Sequence, residues 1–245
     1  MLSPRASLSC LLRTWCVNAA NSTRGMQEIG LLFVLEPGLR ELYPAAEDRA
    51  RALARYTEHA STHPFFMPLF TGMLLGLEEQ AAAHLLPDDL LKNFKNATAT
   101  TLSAVGDAFF SGSLLPLWAL ITILLLLEGW HMPALLLAGL TFFLLTAFRV
   151  GTFYLGLRQN MHALQWMRRL DLVNWAERLK LLNAALLAVL LWRLMPSGPD
   201  APWSLYGAGA VLLTGAAWCI RRRQMPRLGL FMGALALLVL AGKLF

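Results

Sequence analysis

The sequence predicts an all-α membrane protein with N-terminal amphipathic helices, two re-entrant or short hairpin segments and about five transmembrane helices. Three observations carry that reading. Of 245 residues, 57% are hydrophobic and 15% charged, where an ordinary soluble domain carries about 25% charged residues. The apolar residues fall in blocks, and those of the second half approach the roughly 20 residues that a bilayer crossing needs. The basic residues stand mostly at the ends of those blocks.

Residues 1–61 read as amphipathic and interfacial. Arg5 and Arg13 occur in a stretch without an apolar core and small-residue cleavage site, so residues 1–27 are not expected to act as a secretory signal. Residues 24–43 place Met26, Ile29, Leu32, Phe33, Leu35, Leu39 and Leu42 near helical spacing. Pro37 and Gly38 are expected to interrupt or kink that run. Residues 46–60 predict a second amphipathic helix, charged at Glu47, Asp48, Arg49, Arg51, Arg55 and Glu58, with Leu53 and Tyr56 as a thin apolar face. Neither can span a bilayer; each suits its surface or the edge of a membrane core.

Residues 62–157 form the expected core region. The apolar run 64–77 contains Pro68, Gly72 and Gly76 and is too short to cross, which suits a re-entrant or interfacial segment. Glu78, Glu79, His84, Asp88 and Asp89 follow it at once. Residues 97–113 combine small residues and threonines with Asp107 beside Gly106, and are expected to form a second broken segment. Such backbone is tolerated at membrane depth only where protein buries it or it lines a cavity. Transporters build binding sites from paired segments of this kind. The runs 114–127 and 133–157 read as the first two spans.

Residues 158–245 supply a basic connection and three more spans, at 181–195, 203–220 and 228–245. Trp118, Trp130, Trp192, Trp203 and Trp218 lie within or near the ends of the runs, as interfacial anchors do. The connection 158–180 holds Arg158, Arg168, Arg169, Arg178 and Lys180, and 221–227 holds Arg221, Arg222, Arg223 and Arg227. The turns 128–132 and 196–202 hold no Lys or Arg. The positive-inside rule therefore places the basic loops in the cytoplasm and the C-terminus outside.

The charge of +6 would suggest nucleic acid for a soluble protein. At the ends of apolar runs it reads instead as a topology signal facing anionic headgroups, with no nucleic-acid partner. Cys10, Cys16 and Cys219 are scattered and offer neither a disulfide framework nor a zinc site. His59 and His63 have i, i+4 spacing but no third ligand, and Pro64 ends a helix there. No metal or cofactor is expected.

Several blocks resemble one family. Met26, Gln27, Gly30, Pro37 and Leu42-Tyr43-Pro44 are similar to the opening of enzyme IID proteins of the mannose/fructose/sorbose phosphotransferase family. Thr62-His63-Pro64, Gly72, Leu77-Glu78-Glu79 and Lys92 resemble its second block. Gly106-Asp107, Phe109, Gly112, Pro116, Arg149 and Gly156 resemble its later signature. Against its usual pattern, Thr100, Thr101 and Ala104 replace Gly, Pro and Gly, and Ser111 replaces Trp.

The resemblance implies a non-catalytic membrane subunit of the bacterial inner membrane. It implies pairing with enzyme IIC to move a hexose that IIA and IIB phosphorylate, in hetero-oligomers similar to trimers of IIC–IID pairs. A regulatory or sensory subunit that has lost uptake is the alternative, motivated by the changes around Gly106-Asp107. An unrelated membrane enzyme would need a catalytic constellation that the sequence does not offer.

Seven residues are candidates for the site. Asp107 is an intramembrane carboxylate, costly and by default functional, with Gly106 allowing close backbone approach; the alternative is a helix cap at a hairpin tip. Glu78 and Glu79 read as an acid/base pair, or as a solvated helix end or partners of Lys92, Lys95 or Arg149. His63 reads as a turn-stabilising histidine rather than a phosphoryl acceptor. Gln27 either contacts sugar or IIC, or closes the amphipathic helix onto the core. Arg149 either snorkels to headgroups or pairs with Asp107 or a glutamate.

Overall fold

The computed structural model describes residues 2–23, 25–194 and Gly207. The chain divides into two compact units, Met1–Trp192 and Arg193–Phe245. Apart from Gly207, the expected spans 203–220 and 228–245, the basic cluster 221–223, Cys219 and the outside C-terminus lie outside the described residues. Among the described residues the elements in order are α1 (Pro4–Arg13), a 3-10 helix (Thr14–Ala20), α2 (Glu28–Leu42), α3 (Ala46–Ala54), α4 (Met67–Ala82) and α5 (Asp88–Gly106). A π-helical segment (Asp107–Leu114), α6 (Leu115–Leu127), α7 (His131–Gln159), a 3-10 turn (Asn160–His162), α8 (Ala163–Arg169) and α9 (Leu172–Leu194) follow.

Local chemistry sets the first elements. Ser3 Oγ accepts from Ala6 N at 3.2 Å and Pro4 opens α1, the pairing that a helix start favours. α2 runs unbroken through Pro37, against the expected interruption. Proline leaves the carbonyl four residues back, that of Phe33, without its helical donor. Arg13 Nη1 supplies one at 2.8 Å, pairs with Glu36 at 3.1 Å and lies 4.4 Å over the Phe33 ring. The last residue of α1 thereby repairs α2. α3 ends at Ala54, six residues before the expected limit of 60.

α4 is the core: every residue from Met67 to Glu78 is buried. The expected re-entrant run 64–77 is thus a helix enclosed by protein. α7 crosses it at glycines. A Cβ on Gly156 would meet Leu69 O at 2.6 Å and Met73 N at 2.8 Å, and one on Gly72 would overlap the Phe153 carbonyl. Gly72 and Gly76 form a G-x-x-x-G face, the spacing by which membrane helices bring backbones together.

Residues 97–113 do not form the expected broken segment. The backbone stays helical from Asp89 to Leu127, a run of 39 residues. Thr100, Thr101 and Ala104 occupy its middle, and none of them breaks a helix as proline does. The irregularity is taken up as the π-helical segment, where Leu115 N bonds Phe110 O. Pro116 lies just beyond and cannot donate to the turn before it. α9 braces this segment: Ser113 Oγ donates to Ala108 O (2.8 Å) and Ala176 O (3.1 Å), and Asn183 Nδ2 donates to Ser113 O (2.9 Å).

α6 and α7 agree with the two expected spans at 114–127 and 133–157, joined at Gly129 and the exposed Trp130. α6 buries none of its residues, and Leu135, Leu136, Leu140, Phe142 and Phe143 stand exposed on α7. Apolar surface this extensive needs lipid or protein over it. The connection 158–180 is helical as well, made of α8 and the first half of α9.

Candidate functional site

The polar residues beside the apolar half of the long helix gather around His63, in the loop that precedes α4. Phe65 N donates to His63 Nδ1 at 3.3 Å, so Nε2 carries the ring proton and donates to Ser111 Oγ at 3.0 Å. The ring stacks on Phe110 with centroids 5.3 Å apart and planes 14° from parallel. Burial pushes the imidazole below its usual range, and the charge of Asp107 opposes that shift. Neutral imidazole fits the donor and acceptor roles of its two nitrogens.

Gly106 is buried because the His63 side chain packs directly onto it, and a Cβ there would overlap that side chain. Its role is close approach between loop and helix. Asp107 is neither a hairpin tip nor a helix cap, as it lies inside continuous helix. Its side chain is exposed and makes no hydrogen bond or ion pair among the described residues. Thr100, Ala104 and Ser111 are exposed too, at helical spacing from it. At 1.5 Å per residue, Asp107 stands about 30 Å along the helix from Leu127. A polar stripe therefore meets an apolar run of about one bilayer thickness at Asp107.

Gln27 holds the loop that presents His63. Its Oε1 accepts from Thr62 N at 2.8 Å, its Nε2 donates to Asn18 Oδ1 at 2.8 Å, and its backbone N donates to Ala60 O at 2.8 Å. It is 6% exposed. The side chain ties the 3-10 helix and the start of α2 to the residues before His63.

Glu78 belongs to a different constellation. It is fully buried and accepts from Tyr43 Oη (2.8 Å), Tyr56 Oη (2.6 Å), Arg55 Nη2 (2.6 Å) and Arg55 Nε (3.2 Å). Burial first and the Glu78 charge second push both phenols well above their usual range, which keeps them protonated and donating. The expected solvated helix end or pairing with Lys92, Lys95 or Arg149 is thus replaced by an enclosed ion pair with Arg55. The two lysines turn to Glu58 instead, Lys92 at 2.6 Å and Lys95 at 4.0 Å. Glu79 is half-buried at the edge of a separate cavity with Arg158 and Asn160.

Arg149 pairs with neither Asp107 nor a glutamate among the described residues. Its Nη2 donates to Thr14 O at 3.2 Å, and its guanidinium lies 4.1 Å over the Trp15 ring. It fastens α7 to the end of α1. The structure therefore brings His63, Gly106 and Asp107 together, adds Ser111, and leaves Glu78, Glu79 and Arg149 elsewhere. In the sequence Ser111 stands out only as a departure from the family pattern. Among the described residues no group of His, Cys, Asp and Glu is arranged to hold a metal ion.

The architecture defines an all-α membrane protein. A profile of the phosphotransferase-system mannose/fructose/sorbose family IID component matches residues 1–194. The chain belongs to that family. It is 35% identical over 134 residues to the mannose-specific EIID component of Escherichia coli, a match covering 54% of this chain and 46% of that protein. It is 28% identical over 158 residues to the fructose permease IID component of Bacillus subtilis, covering 64% and 56%. The chain spans about half the length of the curated relatives it matches.

Among solved structures it is similar to a chain from the cryo-electron microscopy structure of the mannose transporter ManYZ in complex with a microcin. That match has a TM-score of 0.62 and 21% identity and covers 99% of this chain and 97% of the other. A second match, described only as a membrane protein, has a TM-score of 0.75 and 22% identity over the same shares. These two likenesses establish a shared fold.

Proposed function

We propose that this chain is the IID-type subunit of a mannose-family sugar transporter in the bacterial inner membrane. In this reading it pairs with an enzyme IIC subunit to translocate a hexose, which IIA and IIB subunits phosphorylate, and it is not itself the catalyst. Pairs of IIC and IID assembled as a trimer are the expected oligomer. The observation that supports this reading is Asp107. A carboxylate exposed at the foot of an apolar, span-length run is costly beside lipid and is stabilised by a polar partner surface or a water-filled path. Ser111, held from below by His63, keeps its hydroxyl proton free to donate outward to that partner or to a sugar hydroxyl.

The test is phosphoenolpyruvate-dependent uptake of labelled hexoses in cells with and without the chain. Deletion is expected to abolish uptake of at least one hexose. Asp107→Asn is expected to lower that uptake about tenfold at unchanged amounts of chain in the membrane. If deletion leaves uptake of every hexose intact, the regulatory reading replaces transport. Wild-type uptake in Asp107→Asn would make Asp107 a structural residue only.

A further inference from the structure

A cavity of about 570 Å³ opens between α5 and the junction of α8 with α9. Its walls are mostly apolar, with Leu102 and Val105 from α5 and Leu164, Met167 and Leu172 from α8 and α9, and carry Thr98, Thr101 and Gln165 beside them. At the junction Asp171 takes a left-handed φ of 48°, which interrupts the helix between α8 and α9. The cavity's volume falls within the range of small-molecule sites, and Val105 in its wall stands two residues before Asp107, where the apolar run of the same helix begins.

One charged side chain in the lining is uncommitted. Arg168 is exposed and makes no ion pair among the described residues. The carboxylate in the lining, Asp171, is already engaged: both its oxygens accept from Asn174 Nδ2, at 2.9 and 2.8 Å. Arg158, Arg169 and Arg178 lie on the same stretch of chain and make its field positive.

We propose that this cavity binds one anionic phospholipid of the phosphatidylglycerol type, with an acyl chain between α5 and the α8–α9 junction and the phosphate on Arg168. Basic pockets between membrane helices take anionic headgroups, and the planar guanidinium fork matches phosphate oxygens. The apolar walls distinguish a lipid from a free phosphate ion. The site is remote in chemistry from the sugar reading and does not rest on it.

Native mass spectrometry of the full chain, purified in neutral detergent and incubated with defined lipids, tests the assignment. Phosphatidylglycerol is expected to be retained in preference to phosphatidylcholine, as one adduct at low excess. Arg168→Gln is expected to reduce that retention about fivefold. Ala97→Phe, which fills the cavity from α5, reduces it as well, whereas Arg51→Gln on α3 leaves it unchanged. Equal retention of the two lipids, unchanged retention in Arg168→Gln, an equal loss in Arg51→Gln, or full competition by glycerol 3-phosphate would each overturn the proposal.

Discussion

Glu78→Ala is expected to destabilise the chain by about 3–5 kcal/mol, the scale on which removal of one partner from a buried ion pair acts. The reason is what remains. Arg55, with its side chain 12% exposed, keeps its charge but loses the carboxylate 2.6 Å away. Tyr56 loses the acceptor for its buried phenol, and Tyr43 keeps only the longer bond, 3.4 Å, to the backbone carbonyl of residue 78. The damage extends beyond one contact, because Tyr43 follows α2, Arg55 and Tyr56 follow α3, and Glu78 stands in α4. Thermal unfolding in detergent, followed by tryptophan fluorescence, reads the loss. The double variant Arg55→Met/Glu78→Leu is expected to recover most of it, since it removes the buried guanidinium together with the carboxylate it pairs with. A single variant as stable as wild type would show that the cluster contributes little.

Gly156→Leu is expected to cost about 3 kcal/mol or more, at the upper end of overpacking effects. The obstacle is backbone: Leu69 O and Met73 N stand within 2.8 Å of where a Cβ would sit, and backbone in a buried helix cannot turn aside. The two helices must separate, which opens the core around α4. Gly139 provides the comparison on the same helix, with open space around its Cβ position. Gly139→Leu is expected to be neutral or slightly stabilising, because leucine is the better helix former. Equal melting temperatures for the two variants would refute the close crossing as the basis of the core.

The sequence made the class legible because bilayer physics is written in composition. Runs 114–127 and 133–157 needed only their length and apolarity to be read as spans, and α6 and α7 occupy them. The 97–113 stretch is less legible: its small residues and threonines suggest a broken segment, although their replacement of Gly and Pro favours a continuous helix. The continuity of α2 through Pro37 is illegible for a different reason. The proline's cost is local, but its remedy is Arg13, on another helix and 24 positions earlier, and no periodicity reports such a pair. Glu78 is the same case. Its partners Tyr43, Arg55 and Tyr56 each appear in the sequence as surface or interfacial residues, and only the packing of α2 and α3 onto α4 encloses them. Within the site, Asp107 and Gly106 were visible as an unusual dipeptide, whereas Ser111 carries no signal until His63 is brought to it.

In the proposed transporter, the polar stripe of Thr100, Asp107 and Ser111 is the face that the enzyme IIC subunit covers. A photoreactive amino acid placed at position 107, with another at the exposed position 140 on α7 for comparison, tests that most directly in cells producing enzyme IIC alongside this chain. The predicted result is a covalent product with enzyme IIC from position 107 and none from position 140. Capture of enzyme IIC from position 140 but not from position 107 would contradict it.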